Sequence, residues 1–232
     1  MTSRARTRAV PLLAAFALVA VALAGCGGGD GGSARASGGS GDSGGSAASG
    51  ELAGAVRQPP LEVASVTLPN ATVGADGAPF AMQAEPGGLL VVYFGFTSCP
   101  DICPTTLSDV GRAVRELPAA ERERVEVAMV TVDPDRDTGQ IMTSYLDTFV
   151  RGGGVALRTT DPAQQQAAQD AFRVVANRIP EGDSYTFEHT AVTYAIDDTG
   201  TVVVEWPFGT SSATMARDME ILLARSDQEV SR

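Results

Sequence analysis

The sequence is sparing with the residues that carry metal and thiol chemistry. Its 232 residues include three cysteines and one histidine, and none of its 17 basic residues is a lysine. Soft-metal or thiol chemistry therefore depends on Cys26, Cys99, Cys103 and His189. Because Cys99 and Cys103 lie only four positions apart, we expect the protein to be built around that pair.

Positive charge is scarce as well. The chain carries 28 acidic residues and a net charge of −11. Loss of Arg4, Arg6 and Arg8 with a signal peptide would leave 14 arginines against 28 acids, a net charge of −14. This balance argues against a nucleic-acid partner and suits cationic partners or metal ions better. Acidity is also a common solubility trait and identifies no function by itself.

The chain has no apolar run of membrane-spanning length. Pro11 to Ala24 supplies fourteen almost wholly apolar residues, against the ~20 that a spanning helix needs. Because the run follows an arginine-rich start, it predicts a signal peptide over residues 1–25. The string that ends at Cys26 resembles the lipobox of bacterial lipoproteins, which implies cleavage before Cys26 and lipid attachment to its sulfur. An ordinary secretory signal is the alternative.

A low-complexity segment follows Cys26. Residues 27–50 are almost entirely Gly, Ser and Ala, which cannot bury apolar surface and behave as a flexible tether. We assign residues 26–54 to the lipidated cysteine and linker, and residues 55–232 to one domain with a real core. The expected location is the extracytoplasmic face of the cell membrane, with the domain held there by its lipid anchor.

Within the domain, apolar strands alternate with amphipathic helices. The hydrophobic pattern predicts strands over residues 89–94, 125–132, 155–157, 191–196 and 201–206, the last two forming a hairpin. It predicts helices over residues 105–117, opened by Pro104, around 141–149, after Asp161–Pro162, and around 215–223. This order predicts an α/β, thioredoxin-like fold, a mixed sheet flanked by helices, with an N-terminal extension.

The cysteine pair follows a buried strand and precedes a predicted helix. The free N–H groups and positive end of a helix N-terminus favour thiolate over thiol. The Cys-x₃-Cys gap is one residue wider than that of thioredoxin-type oxidoreductases. It would let Cys99 and Cys103 face one ion and still close a redox disulfide. As a purely structural staple, so short a loop would gain little from closure.

His189 lies in a predicted loop just before the strand that begins at Ala191. In a thioredoxin-like topology this loop approaches the cysteine-bearing helix start. Two thiolates and one imidazole form a soft, three-coordinate set that suits copper, with the thiolates favouring Cu(I). Structural zinc would normally take a fourth protein ligand. A surface histidine, or one satisfied within the core, is the ordinary alternative.

Three segments resemble motifs of the Sco (SenC) copper-chaperone family, in the family's order. They are Tyr93–Pro104, Val132–Thr138 and Glu188–Thr190, within a match over roughly residues 60–226. The resemblance implies a thioredoxin fold that binds copper, as Cu(I) or Cu(II), through two cysteines and a histidine. Carried over by position, the ligands are Cys99, Cys103 and His189. It also implies assembly of the CuA centre of cytochrome c oxidase with subunit II as partner, and it identifies neither the copper donor nor the thiol reductant.

Two functions remain open at this point, and they use the same residues. One is copper delivery by a membrane-tethered chaperone. The other is a thiol–disulfide reductase, in which Cys99 or Cys103 attacks exported disulfides such as those of the oxidase subunit. A peroxiredoxin-like peroxidase fits less well, because Pro100 follows Cys99 where that pattern has a preceding proline. The sequence thus leaves open whether the protein is an enzyme.

Asp133, Asp135 and Asp137 begin like a calcium-binding EF-hand loop. The rest of the pattern fails, since Thr138 replaces the required glycine and Ser144 stands where a bidentate glutamate belongs. We expect a solvated turn whose last aspartate caps the next helix. A role in supporting the site or docking a partner is the alternative.

Overall fold

The computed structural model describes residues 50–231. The predicted signal peptide, the lipidation site Cys26 and most of the predicted linker lie outside the described residues, so those expectations stay predictions. Within residues 50–231, no helix combines the length and apolar character needed to cross a membrane.

The described chain contains nine strands and five helices. The strands are β1 Thr67–Pro69, β2 Pro79–Ala81, β3 Leu89–Gly95, β4 Val125–Thr131, β5 Val155–Leu157, β6 Ala176–Glu181, β7 Ser184–His189, β8 Val192–Ile196 and β9 Val202–Pro207. The helices are α1 Ile102–Glu116, α2 Ala119–Arg122, α3 Gly139–Phe149, α4 Pro162–Phe172 and α5 Ser212–Val230.

The central sheet has five strands in the order β5-β4-β3-β8-β9. β3 runs parallel to β4, and β4 runs parallel to β5. β8 runs antiparallel to both β3 and β9. The prediction of an α/β fold with a mixed sheet flanked by helices is therefore confirmed. β1 with β2, and β6 with β7, form two further antiparallel pairs outside this sheet.

β3 is buried along its whole length and separates two hydrophobic clusters. Leu89 and Val91 pack with residues of α1 and α5. Leu90, Val92 and Phe94 pack with residues of α4 on the other side. Successive side chains of a strand point to opposite faces of the sheet, so a continuous apolar run supplies both clusters. The strand that leads to the cysteines is thus anchored in both halves of the core.

The topology explains why distant residues meet at one end of the sheet. Since β3 and β8 are antiparallel, with Tyr93 opposite Thr193, the end of β3 lies beside the beginning of β8. The cysteine loop and α1 follow the end of β3, while β7 ends at His189 just before β8. Both segments are therefore delivered to the same edge of the sheet.

Two details near the predicted site differ from the sequence-based prediction. The hairpin of β6 and β7 forms where the sequence predicts a loop. Its residues are mostly exposed or half-buried and carry little apolar pattern, so the sequence gives no signal for these strands. Gly182, in the left-handed conformation with φ +57°, makes its turn possible. Helix α1 begins at Ile102 and not after Pro104, and Asp101 occupies its N-cap position.

Candidate metal centre

The cysteine side of the site is part of the core. Cys103 is the second residue of α1 and is fully buried, whereas Cys99 lies in the preceding loop and is half-buried. Both are free thiols. The backbone N–H of Cys103 donates to the Cys99 sulfur over 3.4 Å, so a free donor of the helix N-terminus points at that sulfur.

His189 reaches the same point from the opposite side. Its Nε2 lies 3.5 Å from the Cys103 sulfur, and the ligand atoms of Cys99, Cys103 and His189 all lie within 4.8 Å of one another. Its Nδ1 lies 3.1 Å from the carbonyl oxygen of Thr190. A carbonyl only accepts hydrogen bonds, so this contact places the proton on Nδ1. In the neutral ring, the Nε2 lone pair then faces the sulfurs, as a metal ligand requires.

Aromatic rings surround the imidazole. Tyr93 and Phe96 contact the His189 ring edge-on, with ring centres 6.0 and 5.9 Å away. Phe187, two residues before His189 on β7, packs on Phe96 with a centre distance of 5.7 Å. Since Tyr93 and Phe96 belong to the buried core, they shield the histidine and restrict how its ring can rotate.

The two thiols have opposite electrostatic environments. A hydrogen bond from the Cys103 thiol is the main cause that lowers the pKa of Cys99 to about 4, and the backbone N–H groups of Cys103 and Asp101 add to it. Donation to Cys99, together with burial, raises the pKa of Cys103 well above that of an ordinary thiol. The more exposed sulfur, that of Cys99, is therefore the first to become a thiolate.

A buried tyrosine adds a second donor to the inner sulfur. The Tyr93 hydroxyl lies 3.5 Å from the Cys103 sulfur and donates to it. Burial raises the pKa of Tyr93 far above its usual range, so the phenol stays neutral and keeps its proton. Gly95 makes room for this contact, because a Cβ there would lie 2.6 Å from the Tyr93 ring and 3.1 Å from the Cys103 sulfur.

The acidic turn, residues 133–137, differs from the solvated turn that the sequence predicts. Asp133 and Asp137 are buried, and only Asp135 is the exposed aspartate that a solvated turn predicts. Asp137 does not cap α3, since the Thr138 hydroxyl does so by accepting from the Ile141 N–H. The Asp137 carboxylate instead accepts from Thr97 of the cysteine loop. Burial raises the pKa of Asp137, while hydrogen bonds from Thr131 and Thr97 oppose that rise.

The donor set fits a soft metal ion. Among residues 50–231, Cys99, Cys103 and His189 form the one group of three or more potential ligands. That group contains no carboxylate and no fourth residue, which disfavours a structural zinc site. Two sulfurs and one aligned imidazole nitrogen suit copper, since thiolates favour Cu(I) and added nitrogen suits Cu(II).

The sequence predicts the three residues that meet at this site. It does not predict the two residues, Tyr93 and Asp137, whose hydrogen bonds hold the cysteine side of the site. In the sequence, Tyr93 is part of the apolar run that predicts β3. Its hydroxyl is the one side-chain polar group of that buried run, and this was the available signal for a hydrogen-bonding role. Asp137 looked like a helix cap, and only the fold shows that its partner Thr97 lies 40 residues away.

Comparisons with known proteins match the geometry. The model of the SCO1/SenC family matches residues 60–224. A putative copper-binding protein of Stutzerimonas stutzeri is 40% identical over 114 residues, which cover 48% of this chain and 54% of that protein. A SCO2-like protein of Rickettsia prowazekii is 36% identical over 117 residues, covering 49% and 56%. The chain thus spans little more than half the length of these curated relatives.

A solved structure shows the same fold. Bradyrhizobium japonicum ScoI with copper bound superposes with a TM-score of 0.58 at 29% sequence identity. The superposition covers 67% of this chain and 95% of that one.

Proposed function

The chain belongs to the SCO1/SenC family, whose model matches residues 60–224, and on that premise we propose that it binds one copper ion and delivers it for assembly of the CuA centre of cytochrome c oxidase. The ligands are Cys99, Cys103 and His189, and the receiving partner is subunit II of the oxidase. The observation that carries this proposal is the meeting of two sulfurs and an imidazole nitrogen within 4.8 Å, with the Nε2 lone pair turned toward the sulfurs.

The proposal includes a membrane anchor. A lipid on Cys26 and the Gly/Ser-rich segment up to about residue 54 would hold the domain near the extracytoplasmic membrane face. The r.m.s. reach of such a tether is roughly 25–30 Å. Mass spectrometry of the membrane-extracted protein tests this part by itself, and an unmodified Cys26 would contradict it.

Copper binding is tested by stoichiometry and affinity in both oxidation states. We expect the reduced protein to bind one Cu(I) or one Cu(II), and His189→Ala to weaken chiefly the Cu(II) form. The reason is that two thiolates hold Cu(I) almost alone, while Cu(II) prefers added nitrogen. Glu188→Ala is the matched control, because Glu188 is the exposed neighbour of the histidine. Unchanged Cu(II) binding by His189→Ala would remove His189 from the ligand set.

The asymmetry of the two thiols favours a second candidate function, that of a thiol–disulfide reductase. The Cys99 thiolate would attack a disulfide of an exported protein and form a mixed disulfide. Cys103 would then attack the Cys99 sulfur and pass its proton to the departing thiolate, which leaves both partner thiols reduced and a Cys99–Cys103 disulfide. An external dithiol would reset the pair.

Turnover of a model disulfide by the metal-free protein, with dithiothreitol as the reductant, tests this candidate. If the reductase function holds, Cys99→Ser abolishes the first step, whereas Cys103→Ser accumulates the mixed disulfide. His189→Ala then lowers turnover less than either cysteine substitution, because the imidazole would tune the thiol without taking part in the exchange itself. Absence of turnover above the uncatalysed rate leaves copper delivery as the function.

A further inference from the structure

The acidic turn, residues 133–137, contacts the loop that carries Cys99. The Asp137 carboxylate accepts from the Thr97 N–H over 3.1 Å and from the Thr97 hydroxyl over 2.5 Å. Thr97 lies two residues before Cys99, so this carboxylate holds the cysteine loop by both its backbone and its side chain.

The same turn contacts the hairpin that carries His189. The Tyr185 hydroxyl donates to the Asp133 carboxylate over 2.9 Å, and the Arg136 guanidinium donates to the Tyr185 carbonyl over 2.9 Å. The guanidinium groups of Arg136 and Arg178 lie 3.9 and 3.4 Å from the centre of the Tyr185 ring, within cation–π range. Tyr185 and His189 both belong to β7, so the turn fixes one end of the strand that ends at the imidazole.

The two carboxylates are linked inside the turn. The Thr131 hydroxyl accepts from the Asp133 N–H over 2.9 Å and donates to Asp137 over 2.5 Å. The Asp137 N–H also donates to the Asp133 carbonyl over 3.0 Å. A displacement of either aspartate therefore strains the contacts of the other.

We propose that Asp133 and Asp137 are positioning residues that set the distance between the cysteine loop and His189, although neither belongs to the proposed ligand set. Asp133 pairs with Arg136, while the hydrogen bonds to Asp137 come from the neutral groups of Thr97 and Thr131. Burying a carboxylate without an ionic partner costs stability. Asp137 therefore fixes the position of the cysteine loop although its burial lowers the stability of the fold. An ordinary core residue, in contrast, increases that stability.

Hydrogen exchange in the metal-free chain tests the link directly. Asp133→Asn changes the hairpin contact and leaves the Thr97 partners in place, yet we expect it to raise exchange at the Thr97 N–H about tenfold, as loss of one buried hydrogen-bond partner would. Asp137→Asn is expected to raise exchange along β7 by a similar factor. The matched control is Asp135→Asn, because Asp135 lies in the same turn, is exposed, and pairs with Arg178 at the surface.

Tyr185→Phe provides the milder variant. It removes one hydroxyl and keeps the ring between its neighbours, so the fold is retained even if Asp133→Asn unfolds the chain. We expect it to raise exchange at Thr97 several-fold. If Tyr185→Phe and Asp133→Asn loosen β7 while Thr97 exchanges as in the wild type, or if Asp135→Asn has the same effect as they do, the proposal is wrong.

A copper readout extends the test and rests on the proposed function. Asp133→Asn is expected to weaken Cu(II) binding about tenfold and to have no further effect in the His189→Ala background, because both changes remove the same contact. Additive losses would contradict the positioning role. If the wild type binds no copper, the proposed function fails, whereas the exchange experiment still decides the link between the two segments.

Discussion

The two sides of the metal centre are built differently. The cysteine side continues from β3, which is buried on both faces, and Cys103 itself is fully buried. The histidine side is a two-stranded hairpin outside the main sheet, with residues that are exposed or half-buried. Its attachment depends on a few polar contacts around Tyr185 and on ring packing by Phe187. The sulfurs are thus fixed by the core, whereas the imidazole is placed by local contacts that can change without unfolding the protein.

Truncation of one aromatic residue on each side gives the largest expected effect. Phe94→Ala in β3 should lower the free energy of unfolding by about 3–5 kcal/mol, because it removes a fully buried ring. Phe187→Ala in β7 should cost only about 1–2 kcal/mol, because that ring is half-buried. It should nevertheless weaken Cu(II) binding, since Phe187 supports the ring that contacts His189. Denaturant unfolding and Cu(II) titration measure the two effects, and equal unfolding costs would contradict the comparison.

Thiol reactivity separates the exposed and buried ligands within the cysteine side. An ordinary thiol below its pKa gains about tenfold in thiolate per pH unit, or about 1,000-fold between pH 5 and 8. With a pKa of about 4, Cys99 should be alkylated by iodoacetamide at a nearly constant rate over that range. Cys103 should label at least about 100-fold more slowly, because it is buried and its pKa is raised. Peptide mass spectrometry assigns the labels, and a steep pH profile at Cys99 would contradict its assignment as the first thiolate.

The tyrosine donor is expected to have an intermediate effect. Tyr93→Phe removes the hydrogen bond to Cys103, worth about 1 kcal/mol, and leaves the inner sulfur a stronger electron donor. The sulfur-to-copper charge-transfer band of the Cu(II) form should therefore shift, and the reduction potential should fall. Tyr145→Phe is the matched control, because the Tyr145 hydroxyl is buried near the site and has no hydrogen-bond partner in the described structure. A band shift of equal size in both variants would assign the effect to packing.

The smallest effect concerns the pH dependence of stability. Burial raises the folded-state pKa of Asp137, so the folded protein binds this proton more tightly than the unfolded chain does. The stability that this proton contributes is fully present below the unfolded pKa, about 3.9, and is lost as the pH rises through the folded value. Asp137→Asn lacks this titration. The wild type should therefore lose stability relative to the variant across that window, as measured by denaturant unfolding at several pH values, and a constant difference would show that Asp137 titrates normally.

The sequence predicts the cysteine side better than the histidine side for a physical reason. Continuous apolar runs and helical spacing arise from burial, so β3, β4 and the helices that cover them are visible in the pattern. The hairpin of β6 and β7 buries little and pairs mainly with itself, so its residues carry no comparable signal. The approach of His189 to the cysteines was predictable from the topology that the cysteine side implied and from the family resemblance, and not from the pattern of the hairpin itself.

The roles of polar residues were the least predictable part. Asp137 has the sequence position of a helix cap, and its true partners become neighbours only when β3 and β4 pair. Asp101, a residue type typical of the N-cap, occupies that position of α1 without a side-chain cap bond, whereas Pro104, which suits the first helical position, suggested a later start.

For the proposed copper delivery, the unequal exposure of the two cysteines would set an order of ligand exchange. The inner sulfur, of Cys103, has no solvent-facing surface, so a thiolate or imidazole of a recipient would approach from the side of Cys99. Ligand exchange would then begin at the Cys99 sulfur and finish at the Cys103 sulfur. Release would be stepwise, with the bond to the Cys103 sulfur broken last.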